Sequence, residues 1–285
     1  MGMSAGRRPY SPGLIFLYDL GIVRGSGRNV IVIITVTNQK GGVGKTTTAV
    51  NVAAALAFSG ARVLLVDTDP QGHSSISCVP HPEASPHSLY EVLGGSRVKI
   101  EDVIMKSTIP GLDVAISRIS MAKLEPSLIG EIDGHYRLRE ALASVGNIYR
   151  YILIDTPPTL GLITLNALVA ATHLLIPIQS SYLCLEGTDD LLETIEKVRK
   201  VANPQLQILG VLITLHDTRT NIAKDVVDRI HGVFGKKVFK TFISKSVKLE
   251  ESPAYKESIF TYAASSIGAL QYRQVAEEIL ERTKK

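Results

Sequence analysis

A glycine-rich stretch with two lysines five residues apart is the part of this sequence best suited to chemistry. The stretch NQKGGVGKTTT, Asn38 to Thr48, lies between an apolar run and an alanine-rich run. Glycines let the backbone approach an anion closely, and a loop that leads into a helix directs its N–H groups toward phosphates. The lysine at the far end, Lys45, can neutralise the terminal phosphates, and the hydroxyl of Thr46 can bind Mg²⁺. We therefore predict a site for a nucleotide and Mg²⁺.

The predicted ATP-binding residues are continuous in sequence: Lys40, Gly41, Gly42, Val43, Gly44, Lys45, Thr46 and Thr47. One position departs from the general pattern G-x-x-x-x-G-K-[ST]. Gln39 stands where the first glycine is expected, and Lys40 follows it. A loop that holds one phosphate chain needs only the lysine at its far end, so Lys40 requires a separate explanation.

Aspartates end two further apolar segments. ARVLLVDTDP ends on Asp67 and Asp69, and RYILIDTPP contains Asp155. Sheets of mostly parallel strands bind ligands beyond the carboxyl ends of their strands. A carboxylate at the end of a strand opposite the loop can hold a water molecule bound to Mg²⁺, which is the role we assign to Asp155.

The elements that must position these residues alternate along the chain. Short apolar runs predict strands at residues 30–37, 61–70, 150–158, 172–178 and 206–214, and helical patterns fall at 47–60, 187–202 and 220–235. This order predicts an α/β fold of one domain, with a mostly parallel twisted sheet flanked by helices on both faces. Residues 80–130 are less regular, and VPHPEASPHS within them indicates a surface loop.

Composition limits the alternatives. The chain has 285 residues and a formal net charge of +4, of which residues 1–29 carry +3, so net charge alone indicates no partner. We predict a poorly ordered extension at 1–29 and one domain at 30–285. There is no apolar run of about 18 residues that could span a membrane. Cys78 and Cys184 lie far apart without a CxxC spacing, so the sequence indicates neither a disulfide framework nor a cysteine metal site, and a reducing cytoplasm fits.

Three motifs together give the sequence a family resemblance. KGGVGKTTT, LLVDTDPQG and LIDTPP resemble the P-loop NTPases with a deviant Walker-A loop, most closely the ParA/Soj family of chromosome and plasmid partition ATPases. The resemblance covers nearly all of residues 30–285. It implies an ATPase that requires Mg²⁺, forms a homodimer around two ATP molecules and binds double-stranded DNA without sequence preference. It also implies a ParB-like centromere-binding partner that stimulates hydrolysis.

The resemblance also assigns roles to individual residues. Asp69 matches the carboxylate that positions or activates the attacking water, and Asp67 lies nearer the metal, with a helix N-cap or a turn residue as an equal alternative. Lys40 matches the signature lysine that reaches the nucleotide of the partner subunit. A cation supplied across an interface adds on the order of 10³–10⁵ in rate in related switch enzymes. The TPP segment after Asp155 matches the segment that senses the γ-phosphate.

DNA binding has independent support in the charge pattern. Between His216 and Lys248 the chain has eight lysines and arginines against three aspartates, an excess suited to phosphate contacts that read no base sequence. By resemblance, Arg219 and Lys248 are the DNA-binding candidates, with Lys245 as a further one. A solvated basic face is the alternative interpretation. DNA binding implies a cytoplasmic protein associated with the nucleoid.

Rival functions of the same fold require features that differ here. A MinD-like membrane ATPase ends in a basic amphipathic helix, whereas this tail, QYRQVAEEILERTKK, is rich in acidic residues. A metal-cluster ATPase places a cysteine soon after the switch aspartate, but TPPTLGLITLN follows Asp155, and we expect Cys184 to be a buried small residue. The remaining alternative is a ParA-like or MinD-like ATPase that positions a protein cluster or the division machinery.

Overall fold

One seven-stranded sheet forms the centre of the molecule. A computed structural model describes residues 31–181, 187–217, 219 and 221–284, with residues 221–223 described by their backbone only. The proposed extension at 1–29 and Cys184 lie outside these residues. The strands are β1 Val32–Val36, β2 Val63–Asp67, β3 Ile104–Lys106, β4 Leu112–Ala115, β5 Tyr151–Asp155, β6 His173–Gln179 and β7 Gln207–Thr214.

The strand order places the three motif-bearing strands side by side. The order is β3-β4-β2-β5-β1-β6-β7, and all neighbours are parallel except β3 and β4. In the register of the central strands, Val36 of β1 and Asp67 of β2 both lie opposite Asp155 of β5. The carboxyl ends of these strands therefore meet at one edge of the sheet.

Helices cover both faces. They are α1 Lys45–Phe58, α2 His73–Cys78, α3 Leu89–Leu93, α4 Leu124–Leu128, α5 Arg137–Ala143, α6 Leu162–Ala170, α7 Thr188–Val201, α8 Asn221–Phe234, α9 Val247–Glu251, α10 Ile259–Tyr262 and α11 Ile267–Arg282. Single 3₁₀ turns occupy Pro82–Ala84, Ile100–Val103, Ile119–Lys123, Gly235–Lys237 and Ser252–Tyr255.

The core lies on both sides of the sheet because successive strand residues point to opposite faces. Ile34, Val36 and Leu153 pack against α1 and α11, whereas Ile152 and Ile154 pack against α3 to α6. A third cluster joins β6 and β7 to α7 and α8. Because the central strands are buried on both faces, they appear in the sequence as continuous apolar runs rather than alternating ones.

The predicted fold class is confirmed, and one region needs correction. Residues 79–88 are irregular as expected, but the segment beyond them contributes β4, which is buried throughout, and the antiparallel edge strand β3. Strands of three and four residues give too short a pattern to recognise in sequence. The acidic C-terminal segment forms α11, whose Tyr272, Val275 and Ile279 are buried against the sheet and α1. Within the described ranges, no helix combines the length and the apolar character that crossing a bilayer requires.

Candidate functional site

The glycine-rich loop joins the end of β1 to the start of α1. Gly42 has φ 72° and Gly44 has φ 84°, a left-handed region that other residues adopt only with strain. Gly44 is the N-cap residue of α1 and has no side chain, so the N-terminus of this helix is open toward the loop. A fourteen-residue helix with its N-terminus exposed to a glycine loop is the arrangement that binds phosphate.

Three hydrogen bonds hold the loop in place. The Asn38 side-chain amide donates to the carbonyl of Pro177 on β6 (2.7 Å), and its oxygen accepts the backbone N–H of Lys40 (3.0 Å). From the end of β7, the Thr214 hydroxyl donates to the Val43 carbonyl (2.8 Å). Asn38 and Thr214 were not identified from the sequence, because nothing in their local pattern indicates these long-range partners.

Lys45 begins α1 and points back under the loop. Its Nζ donates to the carbonyl of Lys40 (2.8 Å), and the residue is only 7% exposed. Burial lowers the pKa of Lys45, while the charges of Asp155 and Asp69 act to raise it. When a phosphate binds in the loop, this ammonium group needs to move only a short distance to exchange the Lys40 carbonyl for a phosphate oxygen. Lys40 is half-buried.

Asp155 lies at the bottom of the site with no exposed surface. Its Oδ2 accepts a hydrogen bond from the Ser74 hydroxyl (2.8 Å). The Thr46 hydroxyl is near enough to lower the pKa of the carboxylate. Its Oδ1 is buried and has no partner among the described residues. A buried carboxylate oxygen without a partner is costly unless a cation or water binds there. The donor set of Thr46 and Asp155 therefore fits Mg²⁺, which prefers oxygen ligands.

Burial and neighbouring negative charges raise the pKa values of the two strand-end carboxylates. Desolvation raises the pKa of Asp155 to about 6 and that of Asp67 to about 8, and the charge of Asp155 contributes to the shift of Asp67. Strongly shifted carboxyl pKa values are typical of functional sites. A cation bound beside these carboxylates would favour their ionised forms and lower both pKa values.

Asp67 is fully engaged with its own neighbourhood. One carboxylate oxygen accepts the backbone N–H and the hydroxyl of Ser75, both at 2.7 Å, and the other accepts the backbone N–H of Asp69 (3.2 Å). Ser75 lies in the first turn of α2, so Asp67 caps that helix from the end of β2. Its place near the metal stays a prediction, and its described contacts are those of a residue that positions α2 and Asp69.

Asp69 is held in a tight turn above these carboxylates. Its Oδ1 accepts the N–H of Gln71 (2.9 Å), and its carbonyl accepts the N–H of Gly72 (2.9 Å) and the hydroxyl of Ser117 (2.7 Å). Ser117 follows β4, so the overlooked strand fixes the backbone of a predicted catalytic residue. Asp69 is partly exposed and close enough to Lys45 to influence its charge.

A shallow cleft extends from the phosphate loop toward the C-terminal half of the chain. It measures about 290 Å³ and is bordered by Gly44, Thr47, Thr214, Leu215, Ile243, Ser246, Leu249, Glu250, Pro253 and Tyr272. The segment after β7 and the segment around residue 243 both line this cleft. Leu215 has φ 50°, an unusual conformation for a leucine that indicates local strain.

The predicted DNA-binding cations lie on neighbouring segments. The N–H of His216 donates to the Ile243 carbonyl (2.9 Å), and the N–H of Lys245 donates to the His216 carbonyl (3.2 Å). These two bonds join the segment that carries Arg219 to the one that carries Lys245 and Lys248. All three cations are exposed.

Two of these cations are paired with acidic residues of their own segments. Arg219 donates from Nε and from a terminal nitrogen to Asp217 (2.8 and 2.7 Å). Lys248 donates to Glu251 (3.0 Å) and lies 5.4 Å from the ring centre of Tyr262. Ion pairs this exposed contribute little to stability, so a phosphate can replace the carboxylate at low cost.

Comparisons with known proteins agree with this geometry. A protein-family profile described as an AAA domain matches residues 31–208. The sporulation initiation inhibitor protein Soj of Bacillus subtilis is 42% identical over 247 residues, which cover 87% of this chain and 97% of Soj. The chromosome partitioning protein ParA of Myxococcus xanthus is 40% identical over 250 residues, 88% of each chain.

Solved structures add a bound nucleotide. The crystal structure of a cobyrinic acid a,c-diamide synthase from Mycobacterium smegmatis, with bound ADP and magnesium, superimposes with a TM-score of 0.77. It is 34% identical, and the match covers 88% of this chain and 94% of that one. The similarity therefore extends to a protein that holds a nucleotide and Mg²⁺ on the same fold.

Proposed function

The chain belongs to the ParA/Soj family of partition ATPases, and on this premise we propose that it is a Mg²⁺-dependent ATPase that dimerises around two ATP molecules and binds DNA without sequence preference. The predicted family and the predicted ATPase activity are confirmed by the relatives. Its dimerisation, DNA binding and release by a partner are proposals that the following features support.

One observation carries the proposal for the nucleotide site: Oδ1 of Asp155 is buried without a hydrogen-bond partner among the described residues, below the open N-terminus of α1. Thr46, in the first turn of that helix, is near enough to lower the pKa of the same carboxylate. Thr46 and Asp155 would hold Mg²⁺, and Lys45 and the loop N–H groups would hold the phosphates. The metal, when bound, supplies positive charge that offsets the charge on the transferring phosphoryl group.

Asp69 is the residue we propose to orient and activate the attacking water. Phosphoryl transfer requires accurate placement more than covalent help. The backbone of Asp69 is fixed by Asp67, Gly72 and Ser117, which gives the carboxylate a defined position while leaving it partly exposed. We propose that Lys40 completes the site of the partner subunit, which makes hydrolysis conditional on dimerisation.

The cleft beyond Thr47 is where we propose that the adenosine binds. It begins at the phosphate loop and lies between the end of β7 and the segment 243–253. The same segments continue directly into the DNA-binding candidates Arg219, Lys245 and Lys248. The residues that line the cleft and the proposed DNA-binding residues therefore lie on the same two segments of the chain.

Arg219, Lys245 and Lys248 form the proposed DNA contact surface. Their exposure and their proximity through the His216 bonds suit the phosphate backbone of a duplex, which requires charge rather than a fixed geometry. A protein that binds DNA this way is expected on the nucleoid in the cytoplasm. We propose that a ParB-like centromere-binding protein supplies site specificity and stimulates hydrolysis.

The test compares wild type with Asp69→Ala in ATP turnover, dimerisation and binding to a random-sequence duplex. We expect wild type to bind the duplex with ATP and Mg²⁺ but not with ADP. Asp69→Ala should retain ATP-dependent dimerisation and DNA binding while hydrolysis falls by about 10²–10⁴, the contribution typical of a general base.

Asp133→Ala is the matched control, because Asp133 is exposed and pairs only weakly with Arg137 (3.5 Å). It should behave as wild type in all three measurements. Hydrolysis by Asp69→Ala at the wild-type rate would contradict the role of Asp69. DNA binding that is equal with ATP and ADP would contradict the proposed switch.

A further inference from the structure

The carboxylate of Glu125 lies at the N-terminus of α6, where the segment after Asp155 ends. Glu125 belongs to α4, and its Oε1 accepts the backbone N–H of Ile163 (3.1 Å). The N-cap residue of α6 is Gly161, which has no side chain to serve as a cap, and the first turn of the helix contains no acidic residue. Glu125 therefore provides from another helix the anionic acceptor that α6 lacks.

The space above Gly161 is filled by the same carboxylate. A Cβ atom at Gly161 would lie 2.2 Å from Oε1 of Glu125 and 2.8 Å from both its Cδ and its Oε2. The backbone of Gly161 has φ −75° and ψ −172°, which any residue can adopt. The backbone would therefore accept a side chain at this position, but only if the Glu125 carboxylate moved away.

Three contacts hold residues 156–161, the segment we assign to sensing the γ-phosphate. At its start the Thr156 hydroxyl donates to the carbonyl of Val36 on β1 (3.0 Å). In the middle the Thr164 hydroxyl donates to the carbonyl of Thr159 (2.6 Å). At the end, Glu125 holds the Gly161–Ile163 turn.

Most of the backbone N–H groups that segment 156–161 can donate lie at its end. Pro157 and Pro158 have no amide hydrogen. Apart from Thr156, the N–H groups that the segment can offer to a phosphate or a water are those of Thr159, Leu160 and Gly161. These groups lie next to the Glu125 contact, so the position of Glu125 determines where they point.

Glu125 itself has a fixed base. Two other residues of α4, Leu124 and Leu128, are buried in the core beneath β2 and β5. The Ser127 hydroxyl donates to the Leu124 carbonyl (2.7 Å), which closes the short helix. The buried residues of α4 therefore resist any displacement of Glu125 by segment 156–161.

We propose that Glu125 is a positioning residue for ATP hydrolysis. It holds the end of segment 156–161 in the position from which its N–H groups can contact the attacking water and the γ-phosphate. The inference rests on the proposed hydrolysis at this site. It adds a residue on α4 that acts through Gly161 and Ile163.

The first measurement separates kcat from ATP affinity. Glu125→Ala removes the acceptor, so kcat at saturating ATP and Mg²⁺ should fall about tenfold or more, as expected when a reacting group is misplaced. The ATP dissociation constant should stay within about twofold, because Lys45 and the loop are unchanged. Glu125→Gln keeps an oxygen acceptor for Ile163 and should recover most of the lost kcat.

The second measurement uses the clash at Gly161. In Gly161→Ala the new methyl group displaces the flexible Glu125 carboxylate, so this variant should lose kcat as Glu125→Ala does. The double variant should be no slower than either single variant, because both changes break the same contact. Glu131→Ala, six residues away in an exposed pair with Arg137 (2.6 Å), is the matched control and should keep wild-type kcat.

Wild-type kcat in Glu125→Ala, or losses that multiply in the double variant, would overturn the inference. A parallel fall in ATP affinity and kcat in all variants, the Gln variant included, would also overturn it, since that pattern reports a general structural defect. Wild-type protein without any ATP turnover would overturn the proposed function together with this inference, whereas an active wild type with an unaffected Glu125→Ala overturns the inference alone.

Discussion

The nucleotide edge and the basic surface of this molecule position their charged groups in opposite ways. At the nucleotide edge, Asp67 and Asp155 are fully buried, and Asp155 bonds to Ser74, 81 residues away in sequence. On the basic surface, Arg219 and Lys248 are exposed and pair with acidic residues two and three positions away. One region is built by tertiary contacts and the other by local ones.

The difference reflects what each region must do. Phosphoryl transfer depends on placing a few groups within fractions of an ångström, which requires partners from several elements. Binding to a DNA backbone depends mainly on the number of cations near the phosphates, and each contact tolerates a flexible side chain. A single substitution at the nucleotide edge should therefore remove most of the ATP hydrolysis. Each substitution on the basic surface should lower DNA affinity by a limited amount, and these losses of binding free energy should be nearly additive.

The largest effect should come from mixing two inactive variants. Lys40→Ala and Asp69→Ala should each bind ATP and each lose most of the hydrolysis. If Lys40 acts on the partner's nucleotide, a mixed dimer contains one complete site, with Asp69 from one chain and Lys40 from the other. An equal mixture should then recover about a quarter of wild-type activity, because half of the dimers are mixed and one of their two sites is complete.

Steady-state phosphate release over a range of mixing ratios measures this recovery. If Lys40 served its own chain's nucleotide, no mixture would exceed the activity of the separate variants. Mixing Lys45→Ala with Lys40→Ala is a further control for the geometry. Lys45 holds the phosphates of its own chain, so Lys45→Ala should not form the ATP-dependent mixed dimer and that mixture should not recover activity.

An intermediate effect is expected on the basic surface. Arg219→Glu should weaken duplex binding by about 10-fold or more at moderate salt and reduce the slope of log K against log salt by about 0.9 per lost phosphate contact. Lys248→Glu should do the same, and the losses should roughly multiply. Arg97→Glu is the charge-matched control, since Arg97 is exposed and precedes β3 in sequence, the edge strand at the other end of the sheet from β7.

Asp217→Asn tests the same surface and should have the opposite effect on duplex binding. It removes the carboxylate that pairs with Arg219, so duplex binding should tighten by a few-fold, in keeping with the weak energies of exposed pairs. ATP-dependent dimerisation should not change in any of these variants. Loss of dimerisation in Arg219→Glu would place Arg219 in a structural role and contradict the separation of the two regions.

The smallest effect concerns His216, which lies where the two regions meet. Burial lowers the pKa of His216, and its ring contacts the Ser180 hydroxyl (3.1 Å) and the edge of Phe242. The folded protein then binds fewer protons than the unfolded chain just below pH 6.5, so stability is lost as the pH falls through that range. The contribution should be less than about 1 kcal/mol, because the ring is partly exposed.

Urea unfolding of wild type and His216→Gln at pH 7.5 and pH 5.5 measures this contribution. The wild type should lose more stability than the variant on acidification, and all other titrating groups cancel in the difference. An equal loss in both proteins would mean that His216 titrates alike in the folded and unfolded states.

The sequence alone determined the fold class, the phosphate loop and the strand-end aspartates, because each of these is a local pattern. A buried parallel strand is a short apolar run, a phosphate loop is a short glycine run, and an aspartate that follows such a strand necessarily lies at the carboxyl edge. Resemblance then supplied the family, which the relatives confirm. The residue roles at Lys40 and Asp69 stay predictions of that resemblance.

Only the tertiary structure decided which residues support that edge. Ser74, Ser75, Ser117, Thr214 and Glu125 lie in segments with no distinguishing local pattern, and they acquire roles through contacts with residues far away in sequence. Asp67 illustrates the limit: sequence left a metal shell and a helix cap as equal alternatives. The fold brings α2 back over β2, and the backbone N–H and the hydroxyl of Ser75 both donate to the Asp67 carboxylate. Local chemistry identifies which groups can react, but the packing of distant elements fixes where they stand.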